Sequence, residues 1–229
     1  FRERVAADLA AHNVTAVSPE RPVRGDFWDS MFAWNYTAAL EAHTVRKDLF
    51  RALAYNADIL RLGAEIFALA ARYAPFVGVH FRGERDWPPF YGDADKQMEL
   101  YAEDLVRLRN STAGEDLSNV YVSCGDREAI ERFRRKLEPL HFTVHDKWTL
   151  LADHPVLNAK MENLTFDQKG IVEYTTLTSA DYFLGVGPSS MSLLIAYART
   201  IDEENEYFDE YINPDSTHTP PYNRDYVGS

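Results

Sequence analysis

Apolar positions along this chain follow two periods. From His43 to Tyr73 they recur at helical spacing, with Leu49, Leu53, Leu60, Ala64, Phe67 and Ala71 on one stripe. Leu62, Ile66, Leu69 and Tyr73 form a second stripe. Asn56 and Asp58 interrupt the stretch, and both are good N-caps, so two helices are expected to meet there. Phe76 to Phe81 is a short run of β-formers and reads as a buried strand. Asp95 then caps a predicted helix to about Arg109, with Met98, Tyr101, Leu105 and Leu108 facing inward. Asn110 opens a loop. Asn119 to Cys124 is the next strand, and Gly125-Asp126 turns into a helix through Leu137 carrying Ile130, Phe133 and Leu137 on one face. Phe142 to His145 reads as a short strand, whereas residues 146–164 show no clear period and are expected to be irregular. A helix opening at Thr165 or Asp167 reaches Thr178, and Tyr182 to Val186 is a strand. Pro188 to Arg199 is a helix with proline at its first position.

Strand alternating with helix over residues 76–199 predicts βαβ units: an α/β, Rossmann-like domain with a mainly parallel sheet. That domain is expected to span 45–199. Residues 1–44 form an N-terminal remnant or linker segment, with helical character at Arg2–Ala11 and a Pro/Gly-bearing loop at Ser18–Gly25. Residues 200–229 turn acidic and proline-bearing and read as a tail.

A chain of 229 residues can bury a sizeable core. Its net charge of −12 argues against nucleic acid or an anionic membrane as partner. No apolar run reaches membrane-spanning length. Cys124 is the single cysteine and is expected to be a buried free thiol. Four glycosylation sequons stand at Asn13, Asn35, Asn110 and Asn163, where chance would give roughly one. Together with a start at Phe1, they suggest a trimmed or partial chain from the secretory route, either the ER/Golgi lumen or the exterior.

Two stretches carry candidate chemistry. The first is His80-Phe-Arg82 at the end of a predicted strand, ahead of a tight loop containing Glu84, Asp86 and Trp87. Ligands of open α/β sheets bind outside the carboxyl ends of strands, and an Arg emerging there can grip an anion bidentately; the alternative is a surface ion pair. The second is the turn Gly185-Val-Gly187 leading into Pro188, Ser189, Ser190, Met191 and Ser192. Unpaired N–H groups at a helix start, joined by small hydroxyls, suit a phosphate; ordinary capping by Ser189 is the alternative. The histidines at 12, 43, 141, 145, 154 and 218 show no metal-ligand spacing, and Asp93 with Asp95 reads as a turn plus cap.

His80-Phe-Arg-Gly-Glu-Arg-Asp-Trp87 resembles the first motif of the protein O-fucosyltransferases and their wider fucosyltransferase relatives. Asp181-Tyr-Phe-Leu-Gly…Ser189-Ser-Met-Ser192 is similar to that family's late motif, and the two stand in the family's order. The resemblance covers roughly residues 45–199. It implies the C-terminal, donor-binding half of a GT-B glycosyltransferase: inverting, metal-independent, and using GDP-fucose as donor substrate with no cofactor. The acceptor would be a protein or glycan hydroxyl. In these terms Arg82 stabilises the departing diphosphate, and His80, Ser189, Ser190, Met191 and Ser192 line the donor site. Asp86 orients Arg82 or acts as base, and Trp87 packs. Glu173 stands where the family usually has an acid, and would accept from the N1–H and amino group of guanine. A non-catalytic sugar-nucleotide or glycan-binding module with the same fold is the alternative, and a structural glycoprotein a third reading.

If the chain matures in the secretory route, at least two of Asn13, Asn35, Asn110 and Asn163 should carry glycans. Mass spectrometry of material from its native host checks this, and four unmodified asparagines would contradict it.

Overall fold

The structure, a computed structural model, describes residues 54–85, 87, 93–110, 117–186 and 189–200. The expectations for residues 1–44, for the tail from 201, and for Asn13, Asn35, Asp86, Gly187 and Pro188 lie outside the described residues. Every described element belongs to one compact unit that begins at Tyr55.

Helix α1 (Ala57–Ala70) starts at the expected place: Asn56 is its N-cap and accepts from Asp58 N–H. Its buried face is Ile59, Leu62, Ile66 and Leu69. Of the other apolar stripe, Leu60 (36% exposed) and Ala64 face outward, while Phe67 is half-buried against the core. Strand β1 (Phe76–His80) is buried throughout, as a continuous apolar run in a parallel sheet should be. Helix α2 (Ala94–Asn110) buries Met98, Tyr101, Leu105 and Leu108 as expected. Its cap is Asp93, whose Oδ1 accepts from Lys96 N–H, and not Asp95, which lies in the first turn. Strand β2 (Asn119–Ser123) leads to helix α3 (Arg127–Leu137), capped by Asp126. Strand β3 is Thr143–His145.

Residues 146–164 are not irregular. They form α4 (Lys147–Leu151) and α5 (Pro155–Glu162). Asp146 makes a reciprocal capping box with Thr149 and is also paired, through Oδ2, with Arg134 at 2.6 Å. Pro155 sits at a helix start, where its missing N–H costs nothing. Helix α6 (Phe166–Thr178) is capped by Thr165, β4 is Tyr182–Leu184, and α7 is Ser190–Thr200.

The four strands are all parallel in the order β3-β2-β1-β4. Alternate strand residues feed two cores. Val77, Val79, Val120, Val122 and Val144 pack with α2 and α3. Phe76, Tyr121 and Phe183 pack with α1, α6 and α7 on the opposite face. This is the three-layer, Rossmann-like α/β arrangement. Gly78 lets α6 approach closely: a Cβ there would sit 2.9 Å from Leu177 Cδ2 and 3.0 Å from Ala180 Cβ. The chain winds from β1 to β3 in one direction, then returns to lay β4 on the free side of β1. The order reverses between β1 and β4, and a crevice opens at such a point outside the carboxyl ends. Among the described residues no helix is long and apolar enough to cross a membrane.

Candidate functional site

The crevice is bounded by the residues that follow the strands. His80 ends β1 and points to the α6/α7 face, in step with Phe76 and Gly78. Its ring is 4% exposed, and its Nδ1 lies 2.7 Å from Ser192 Oγ, 112 residues further along the chain. The same hydroxyl accepts Val186 N–H at 3.1 Å. With that donor arriving, the hydroxyl's own hydrogen is best used on Nδ1, which assigns the ring proton to Nε2. Burial first, and the charge of Arg82 second, lower the His80 pKa to about 3, so the ring is neutral at physiological pH. Of the His80–Arg82 pair, only the guanidinium carries a positive charge there. Ser192 is 1% exposed and engaged internally, so it joins the two motif loops and is not aimed at a phosphate.

Arg82 is held at both ends. The buried side-chain amide of Gln97 accepts from Arg82 N–H at 3.3 Å and donates to Arg82 O at 3.0 Å, fixing its backbone. Glu84 Oε2 lies 3.2 Å from Arg82 Nε, while Glu84 Oε1 accepts Gly125 N–H at 2.6 Å. Glu84 thus helps orient Arg82; Asp86, expected to do so or to act as base, lies outside the described residues. The indole of Trp87 stands 5.3 Å from the guanidinium carbon, a cation–π distance.

Glu173 lies at the inner end of the crevice. Its Oε2 takes a hydrogen bond from Lys147 Nζ at 2.9 Å, and Lys147 also donates to Cys124 O at 2.8 Å. Tyr121 and Ser123 lie close to the carboxylate, yet no donor meets Oε1 in hydrogen-bond geometry. Burial raises the Glu173 pKa and the Lys147 charge opposes that rise. Cys124 is a buried free thiol, as expected, and is pushed up to about 12 by burial and by Glu84.

Of these groups, His80, Arg82, Glu84, Ser123, Cys124, Lys147 and Glu173 line a cavity of about 460 Å³, within the range of small-molecule sites. His80, Arg82 and Glu84 come from the β1 loop, Ser123 to Gly125 from the β2 loop, and Lys147 and Trp148 from α4. Phe166, Gly170, Glu173 and Tyr174 come from α6, and Met191 and Leu194 from α7. Ser189 is buried with its N–H on Val186 O, and Ser190 is exposed at the start of α7; neither lines the cavity. Asp181 serves the opposite end of the sheet, where its Oδ2 accepts Phe76 N–H at 2.8 Å. Asn110 and Asn163 are exposed at the ends of α2 and α5. Among the described residues no cluster of three or more His, Cys, Asp or Glu is placed to hold a metal ion.

Gln97, Glu84 and Lys147 escaped the sequence reading. Gln97 had a usable signal, since it falls beside Met98 on the apolar face of α2. Lys147 had none, because its partner lies 26 residues away on another helix. No protein-family model matches the chain, and no curated protein does either.

The neutral His80 makes stability pH-dependent. Free imidazole takes a proton near 6.5, whereas folded His80 does so at about 3. Between those values the unfolded chain binds the proton and the folded chain does not. The stabilisation is therefore complete above 6.5 and declines as pH falls toward 3. Urea unfolding at pH 7 and pH 4.5 should show the parent losing on the order of 2 kcal/mol more than His80→Asn. Equal losses in the two proteins would contradict this assignment.

Proposed function

We propose that this chain carries the donor-binding half of a glycosyltransferase of the O-fucosyltransferase type, which moves fucose from GDP-fucose to a protein or glycan hydroxyl. One observation carries the reading. The two motifs that resemble that family are joined by the His80–Ser192 hydrogen bond, at the reversal point of a parallel sheet and beside a ligand-sized cavity. Arg82 stands at the same place, with its backbone and side chain both positioned.

The chemistry follows from that placement. The acceptor hydroxyl oxygen attacks the anomeric carbon from the face opposite the diphosphate, and the bond from that carbon to the phosphate oxygen breaks. Its electron pair leaves on GDP, and the hydroxyl proton passes to a base or to solvent. Negative charge grows on the leaving phosphate, so a fixed guanidinium stabilises the transition state more than the ground state. Arg82 supplies that charge without a metal ion, and its planar fork matches diphosphate oxygens. His80, being neutral, offers a hydrogen bond and no net charge. Asp86 is kept as a candidate for the proton acceptor. The sequons favour a secretory setting for this reaction.

Calorimetric titration with GDP, UDP and ADP, followed by a fucose-transfer assay, tests the reading. The parent should bind GDP; Arg82→Ala should weaken binding at least tenfold and abolish transfer, and Arg82→Lys should recover little. An Arg82→Ala protein that binds and transfers like the parent would overturn it. Binding without transfer by the parent would leave the non-catalytic sugar-nucleotide module.

A further inference from the structure

Helix α6 contains a glycine with no packing reason to be there. Gly170 lies well inside Phe166–Thr178, where glycine is disfavoured relative to alanine. Its backbone is helical, and a Cβ built on it would meet nothing within 4 Å. The space beside it belongs to the cavity. Phe166 precedes Gly170 by four residues and Glu173 follows by three, so all three share one face of the helix. Phe166 is a large apolar side chain left 64% exposed at the cavity mouth. Glu173, at the inner end, is only 5% exposed and has Oε1 without a hydrogen-bond donor.

The strip is therefore apolar and open at the mouth, bare in the middle and polar at the base. It is about 10 Å long, from the helical rise per residue. At its base Glu173 provides an acceptor. Tyr121 and Ser123 stand close to the carboxylate, but neither meets Oε1 in hydrogen-bond geometry, so the lone pairs of that oxygen can accept from a ligand. Lys147 Nζ has spent two of its three N–H donors on Cys124 O and Glu173 Oε2. An acceptor and a donor side by side match the edge of a flat heterocycle that offers a donor next to an acceptor.

We propose that Gly170 is a specificity-determining gap: it keeps a slot open along α6 for the planar part of the ligand, whose polar edge meets Glu173 and Lys147 while its face lies against bare helix. This rests on the nucleotide reading above, and it assigns the slot to the nucleobase. One consequence alters the expectation for Glu173. A lone carboxylate would favour guanine, whereas a carboxylate paired with a lysine donor is also met by the donor and acceptor edge of adenine. Selectivity between large and small bases is then set by the slot.

The test combines calorimetric titration of GDP, ADP and UDP with thermal melting of the full chain as parent, Gly170→Ala and Gly170→Leu. The alanine variant should melt about 2–4 °C higher, since helix propensity improves. Its affinity for the purine nucleotides should nonetheless fall several-fold. The leucine variant, which fills the slot, should lose at least tenfold while remaining folded. Opposite movements of stability and affinity are not expected of a residue with a purely structural role. If the parent binds and either variant binds as well as the parent, the slot is refuted and the nucleotide site stands. If the parent binds none of the three nucleotides, the nucleotide reading fails and the slot with it. Should the leucine variant misfold, the alanine variant decides alone.

Discussion

The hydrogen bond between His80 Nδ1 and Ser192 Oγ ties the carboxyl end of β1 to the first turn of α7 and, through Val186 N–H, to the loop after β4; the site is built around that tie. It is buried, and the hydroxyl that makes it also holds Val186 N–H, so removing either partner strands polar groups away from water. Burial together with Arg82 favours the neutral imidazole, whose Nδ1 can accept from the Ser192 hydroxyl. One constraint thus fixes the position of two loops, the charge of one residue and the neighbourhood of another. It also separates the two members of the His80-x-Arg82 pair. The histidine becomes part of the framework, and of the two only the arginine brings a positive charge to the cavity.

The surrounding charges are arranged in pairs: Arg82 with Glu84, Lys147 with Glu173, Lys169 with Glu162. The cavity is accordingly not a strongly positive sink, in keeping with a chain of net charge −12. Recognition in such a place depends on placed donors and acceptors more than on bulk attraction. A buried ion pair adds little stability by itself, because desolvation offsets the attraction. Lys147–Glu173 places a buried donor and acceptor side by side in the cavity lining, next to Trp148 and Tyr174.

Much of this fold was legible in the residues. Strands β1 and β2 are buried on both faces, so their apolar runs are unbroken, and Asn56, Asp126 and Thr165 cap helices through side-chain chemistry that spacing reveals. Helices α4 and α5 were hidden for a physical reason. One is a five-residue piece held by a capping box, and the other buries only Met161 while Val156 stays exposed, so neither presents an apolar stripe. In the site, His80 and Ser192 could be singled out from their motifs, but their contact could not, because only the sheet order brings them together. Lys147 meets Glu173 on another helix, and Glu84, besides its near neighbour Arg82, meets Gly125 on another loop; local pattern carries no trace of these distant contacts.

A crystal structure of the full chain soaked with GDP tests the central claim most directly. The account places the diphosphate on the Arg82 guanidinium next to His80, with the base lying along α6 over Gly170 and its edge at Glu173. A diphosphate bound elsewhere would contradict it. The groove where Arg85, Arg127, Arg132 and Arg135 stand among Asp126, Glu128 and Glu131 is the nearest rival, and GDP seated there would show that the cavity beside the His80–Ser192 bond is not the nucleotide site.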